Sequence, residues 1–195
     1  MLPGINSPGI QATPHDRSLI TPIKEPPKGF ESAGHGRIVR FSSPQPLGIL
    51  MSRATQGLGN LVGLSVAVPQ STPVGQKHSI KISSVGICAG SGGSTLNGLD
   101  VDLLFTGELS HHEALAATEE GKCVITAFHS NSERAFLKSK MKTALYTELE
   151  KMVEEKEIDE MLDREKWGLA GGFEVAVSEV DRDPFEIVTS GQTGW

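Results

Sequence analysis

The chain reads as an α/β protein, a mixed sheet with flanking helices. Three observations point there. Short runs rich in Val, Ile and Leu alternate with segments of helical apolar spacing. Turn residues, Gly and Pro above all, separate nearly every pair of runs. Three of the apolar runs end in polar residues, as strands of an open sheet do where they meet a ligand.

Residues 1–36 are rich in Pro and Gly and almost without periodicity, so they are expected to be irregular. They read as a connection between two halves of a protein, or as a disordered leader. The domain is expected over residues 37–195. "RIVRF" (from Arg37) alternates and predicts a strand. "PLGILMSRATQGLG" predicts a helix ending at glycine, and "LVGLSVAV" a strand. "QSTPVGQKHS" predicts a loop and "IKISSVGICAG" a strand. "SGGSTLNGL" is a turn with at most a short helix, and "DVDLLFTGE" is a strand.

"SHHEALAATEEG" predicts a helix with a capping box. Ser110 is its N-cap, Glu113 follows three residues later, and Gly121 ends it. His111 and His112 then fall in the first turn, where the helix dipole disfavours imidazolium. Neutral imidazoles suit a metal or a hydrogen bond, and a plain surface turn also accommodates them. "KCVITAF" predicts a strand. The run from Ser130 to Gly168 predicts one long helix or a broken pair, and "GFEVAVSEV" a final strand before an irregular tail.

The net charge of −6 and pI near 5.5 argue against direct nucleic-acid binding or an anionic membrane as the main partner. Much of the acid lies between Glu148 and Glu165 and reads as a solvated helix face. Cys88 and Cys123 sit in apolar, β-branched surroundings, which suits a reducing compartment and gives no sign of thiol catalysis. No run is apolar enough to span a membrane, and neither a signal nor a transit peptide is evident. A cytoplasmic protein is expected, with mitochondrion or nucleus as alternatives.

The candidate chemistry lies after the three apolar strands. "VGICAG" leads into Ser91-Gly92-Gly93, "DLLFTG" into Glu108, His111 and His112, and "CVITAF" into His129 and Glu133. If these strands are parallel neighbours, the three polar ends share one edge. His129 and Glu133 are spaced i, i+4; on one helix their Cβ atoms lie about 6 Å apart. An imidazole and a carboxylate so placed can share a divalent metal ion, or remain solvated neighbours. "GICAGSGGS" reads either as an anion-binding turn or as a tight turn beside a pocket. It is neither a Walker loop nor a dinucleotide fingerprint. Arg37 in "HGR" is a fainter candidate anion contact.

Four motifs, in order, resemble the C-terminal half of the Nif-three-like family, also labelled GTP cyclohydrolase I type 2 homolog. They are "SVGICAGSGGSTL", "DLLFTGELSHHEALAATEEG", "ITAFHSNSERAFL" and "VSEVDRDPFEIV". "GFESAGHGRIVRF" resembles the segment that opens that half, "SEVDRDP" is similar to the eukaryotic branch, and residues from about 148 to 171 look like extra helix.

The resemblance implies a Nif-three-like fold and a dinuclear site for divalent metal ions: zinc, manganese or iron. It makes His129 and Glu133 metal ligands. Ser91, Gly92, His111 and His112 become pocket residues, and Glu108 a candidate general base. The family's His-His-Pro motif does not occur here, since His111-His112 is followed by Glu113. The Pro-rich opening corresponds to the middle of the family's chain, so an N-terminally truncated half protein with two of the metal ligands is expected.

Three functions follow from the resemblance. One is a metal-dependent hydrolase acting on a nucleotide-like or phosphorylated small molecule. Another is a non-catalytic interaction or regulatory protein of the transcription-adaptor-associated type. The last is a folded remnant that is inactive as a half chain. A homo-oligomer is implied as well, and further protein partners are compatible with the acidic surface and long charged helix.

Overall fold

The computed structural model describes residues 13–154, 173–180 and 185. In chain order come β1 (His15–Pro22), β2 (Gly34–Pro46), α1 (Leu47–Gly57), β3 (Ser65–Ala67), β4 (Lys81–Ser91), α2 (Gly93–Leu96), β5 (Leu103–Glu108), α3 (His111–Glu119) and β6 (Cys123–Thr126). Then follow α4 (Asn131–Phe136), a π-helical turn (Leu137–Met141) and α5 (Lys142–Glu154). A 3₁₀ turn at Lys77–Ser79 interrupts the loop before β4. The chain divides into two compact units, Met1–Glu133 and Arg134–Trp195.

In the first unit the strands form one mixed sheet in the order β1-β2-β4-β5-β6-β3. β4, β5 and β6 are parallel, while β1 and β2 on one side and β3 on the other run antiparallel. The parallel strands are near-continuous apolar runs because both of their faces are covered. Leu103, Cys123 and Ile125 point to one face, where they meet Leu47, Leu50 and Met51 of α1. Leu104 and Val124 point to the other, with Leu96 of α2 and Ala117 of α3. Alternate residues of one strand thus belong to different cores.

Three expectations need correction. Residues 1–36 are not uniformly irregular: β1 lies within them and pairs with β2 from His15↔Phe41 to Pro22↔Gly34. β1 is an edge strand, which is where a sheet accepts the proline at its end and the polar Asp16, Arg17 and Ser18 that obscured it. β2 accordingly begins at Gly34, before Arg37. The strand expected over "LVGLSVAV" shrinks to Ser65–Ala67. "GFEVAVSEV" forms no strand over residues 173–180. Its alternation survives as alternating burial, but the second unit offers no described strand to pair with. It runs instead along the helix, with Phe173 against the Tyr146 ring at 5.2 Å and Glu179 on Lys138 at 2.8 Å.

Where one long helix or a broken pair is expected from Ser130 on, α4 and α5 follow each other through the π turn at Leu137–Met141. Residues 155–172 and most of the tail lie outside the described residues. Among the described residues no helix is long and apolar enough to cross a membrane.

Candidate metal-binding crest

The parallel neighbours β4, β5 and β6 carry their polar ends to one edge, and the register places Ser91 beside Glu108. The crest is built from the backbone upward. β6 ends at Thr126, and Phe128 takes a left-handed conformation, φ 66°, that turns the chain out of the sheet. A bulky side chain rarely adopts that conformation, which is disfavoured by about 1–2 kcal/mol. The turn delivers His129 to the edge, and α4 begins two residues later.

The His129 ring stands between two carboxylates. Its Nδ1 lies 2.7 Å from Glu108 Oε1, and its Nε2 lies 3.6 Å from Glu133 Oε1. All three side chains are about half exposed. In the neutral tautomer with its proton on Nδ1, the ring donates to Glu108 and directs the Nε2 lone pair to the Glu133 side. Two ligands on a tetrahedral zinc-type ion stand about 3.4 Å apart. The 3.6 Å separation therefore suits one shared cation, with Glu108 bracing the imidazole from behind. Glu108 sits on the far side of the ring and adds no third donor at Nε2. Among the described residues no group of three or more His, Cys, Asp or Glu is arranged to hold a metal ion.

Small residues hold this arrangement close to the sheet. Ser132 Oγ accepts from the Gly90 amide at 2.8 Å and donates to the His129 carbonyl at 2.7 Å. The buried Thr106 hydroxyl donates to the Gly90 carbonyl at 3.0 Å. Gly90 itself has φ 68°, and a Cβ there would lie 2.7 Å from Glu133 Oε1 and 3.2 Å from His129 Nε2. Gly90, Thr106, Phe128 and Ser132 were not singled out from sequence. "SNSE" after a strand was the available signal for Ser132, and the glycine-rich turn for Gly90.

The remaining candidates are accounted for differently. Ser91 is exposed at the edge. The Gly92 amide donates to the Glu108 carbonyl at 3.3 Å, and a Cβ on Gly92 would run into Thr106 Oγ1. That geometry favours the tight-turn reading. His111 and His112 are exposed in the first turn of α3 and stack edge-to-face on each other at 5.9 Å. Neither ring joins the His129 cluster. The capping box forms as expected, with Ser110 N donating to Glu113 Oε2 at 2.8 Å and Glu113 N to Ser110 Oγ at 3.3 Å. The Ser110 amide holds the Glu113 carboxyl below its ordinary range. Arg37 donates to the carbonyls of Ser32, Gly34 and Gly36, so it ties down its own loop. A cleft at the far end of α3, lined by Pro69, Ser71, Leu115 and Gly121 among others, contains none of the crest residues. Burial, with the Asp102 charge adding to it, pushes the Cys123 thiol up to about 11.

Fold and crest together define an α/β protein with one imidazole and one carboxylate poised at the carboxyl edge of three parallel strands. Residues 9–163 match the family described as Duf34/NIF3 (NGG1p interacting factor 3), and the chain belongs to that family. It is 40% identical over 133 residues to "Protein NIF3 homolog" of Schizosaccharomyces pombe, covering 68% of this chain and 45% of that protein. It is 35% identical over 158 residues to "NGG1-interacting factor 3" of Saccharomyces cerevisiae, covering 79% and 45%. The chain thus spans a little under half the length of these relatives. The crystal structure of a Bacillus cereus protein related to NIF3 has the same fold over 81% of this chain and 36% of that one, with TM-score 0.55 and 22% identity. A crystal structure from Staphylococcus aureus agrees, with TM-score 0.52 and 20% identity over 78% of this chain and 37% of that one.

Proposed function

We propose that this chain contributes half of a divalent-metal site that serves hydrolysis of a phosphorylated or nucleotide-like small molecule. One observation carries the reading: His129 is braced at Nδ1 by Glu108 and faces Glu133 at Nε2, 3.6 Å away. His129 and Glu133 would hold the ion, with zinc, manganese or iron as the candidates. The ion, when bound, would lower the pKa of a coordinated water and polarise a phosphoryl oxygen. Glu108 fixes the imidazole tautomer and ring orientation. Its carboxylate is also the candidate general base on the crest. Two protein donors leave most coordination positions to water or to further residues, so the isolated chain should bind weakly.

Elemental mass spectrometry of the purified chain, after loading with zinc and with manganese, tests the site. Bound metal that is lost in His129→Ala is the expected result. Metal content unchanged by that substitution would remove the site from these residues. Glu108→Gln, which keeps an acceptor for Nδ1, should retain metal where Glu108→Ala loses it. A Gln variant that keeps metal but loses hydrolysis would make Glu108 the base.

A regulatory role through protein partners is the second reading. The yeast relative carries the name NGG1-interacting factor 3, and the second unit of this chain exposes apolar side chains. Binding of a protein partner that is unaffected by chelation and by His129→Ala would favour it. Self-association, expected from the resemblance, fits either reading. A cytoplasmic site of action, or a mitochondrial or nuclear one, remains the working expectation, and fluorescence microscopy of a tagged chain would decide among them.

A further inference from the structure

Phe128 is ill matched to its place by every local criterion. Its backbone is left-handed, φ 66°, a conformation that suits glycine or asparagine. Among the described residues the other non-glycine with a positive φ is Asn60, one of those two types. Burial of a large ring could offset the strain, but Phe128 belongs to neither apolar core and is 42% exposed. Backbone and packing alike therefore give no reason for a phenylalanine here. A strained residue that the fold does not reward points outward, to a ligand.

Its position is fixed all the same. The Ser132 amide donates to the Phe128 carbonyl at 3.3 Å, which ties the turn to the start of α4. The next residue is His129, its Cα about 3.8 Å further along the chain. The half-exposed ring is thus carried into the crest by the turn that delivers His129. Its neighbours there, His129, Glu108 and Glu133, are polar and about half exposed. A purely aliphatic ligand would meet one ring among charged groups. A flat heterocycle, apolar on its faces and polar at its edges, would find a face to stack on and hydrogen-bonding groups around it.

We propose that Phe128 is the specificity-determining residue of the crest, and that its ring stacks on a nucleobase-type heterocycle of the substrate. The proposal rests on the substrate class of the proposed function but not on the metal ion. Within that class it favours ligands that bear a base over bare sugar phosphates. It also accounts for the strain, since glycine at this position would fit the backbone and lose the stack.

Saturation-transfer NMR on the full chain tests this. With zinc added, the probes are adenosine 5′-monophosphate and ribose 5-phosphate. Without zinc they are adenosine and ribose, which the crest carboxylates do not repel. The expected result is strongest saturation on the adenine protons and an affinity about tenfold or more above that of the probe lacking a base. Phe128→Leu should abolish the preference and leave ribose 5-phosphate binding and zinc content unchanged. Phe128→Tyr should keep it. Phe128→Gly should abolish it while stability to urea holds or rises, which separates the ring from the backbone it strains. Equal binding of the paired probes, no binding of either, or a preference that survives Phe128→Leu each overturns the proposal. Zinc held by His129 in a chain with no base preference would leave the metal site standing and remove this role from Phe128. A base preference in a chain that holds no zinc would uphold the role and remove the ion.

Discussion

Gly90 shows how much of the crest depends on a missing side chain. Its φ of 68° and the 2.7 Å approach of Glu133 Oε1 leave no place for a Cβ. Gly90→Ala is expected to destabilise by about 1–3 kcal/mol and to move Glu133 away from His129. Chemical denaturation gives the first quantity, and weaker metal retention reads the second. Cys123 gives a pH dependence of known sign. Burial, with the Asp102 charge adding to it, pushes its thiol from the ordinary 9.0 up to about 11 in the fold. Between those values the unfolded chain has lost the proton and the folded chain has not, so stability falls as pH rises through that window. The fall is on the order of 2 kcal/mol, and denaturation midpoints at pH 8 and pH 11 would show it, with Cys123→Ser as control. His129 and Glu133 drew notice through their i, i+4 spacing, although α4 starts only at Asn131 and the turn at Phe128 is what sets His129 beside Glu133. The role of Glu108 was not legible, since only folding brings β5 against the residue that follows β6.

At the scale of elements, α3 was the most legible piece. Ser110 and Glu113 announce its start, and both halves of the capping box form. Ser110→Ala is expected to lower stability by about 1 kcal/mol, measurable by thermal melting. The Ser110 amide holds the Glu113 carboxyl low, so the stability added by this second half of the box is present above the unfolded carboxyl's pKa and fades as pH falls through the folded one. Melting at pH 7 and pH 3 should therefore show a smaller effect of Glu113→Gln at the lower pH. β1 was illegible for the opposite reason. An edge strand can be polar and end in proline, so it lacks the apolar alternation that marked β4, β5 and β6. Residues 173–180 have that alternation and still form no strand, because a strand is defined by a neighbour and not by its own pattern.

At the scale of the whole molecule, the mixed sheet follows from strands that cannot all be exposed. β5 and β6 are buried on both faces, and Ile125 is 1% exposed between α1 and the strands beside it. Ile125→Ala should destabilise the first unit by about 2–5 kcal/mol, read from the shift in urea midpoint. The order β1-β2-β4-β5-β6-β3 was beyond the sequence, since periodicity identifies strands and is silent on their neighbours. Parallel neighbours at β4, β5 and β6 were the condition under which the three polar strand ends would share an edge, and the topology meets that condition.

The crest has one further consequence, in folding. Glu108, His129 and Glu133 belong to a single β-α-β run that continues into α4, and the segment joining β5 to β6 is short. Little chain entropy is lost in bringing them together, and the contacts are of low order. The ligand geometry also needs β4, whose Gly90 amide donates to Ser132 Oγ. It should therefore form when β4, β5 and β6 have registered, before β1 closes the opposite side of the sheet.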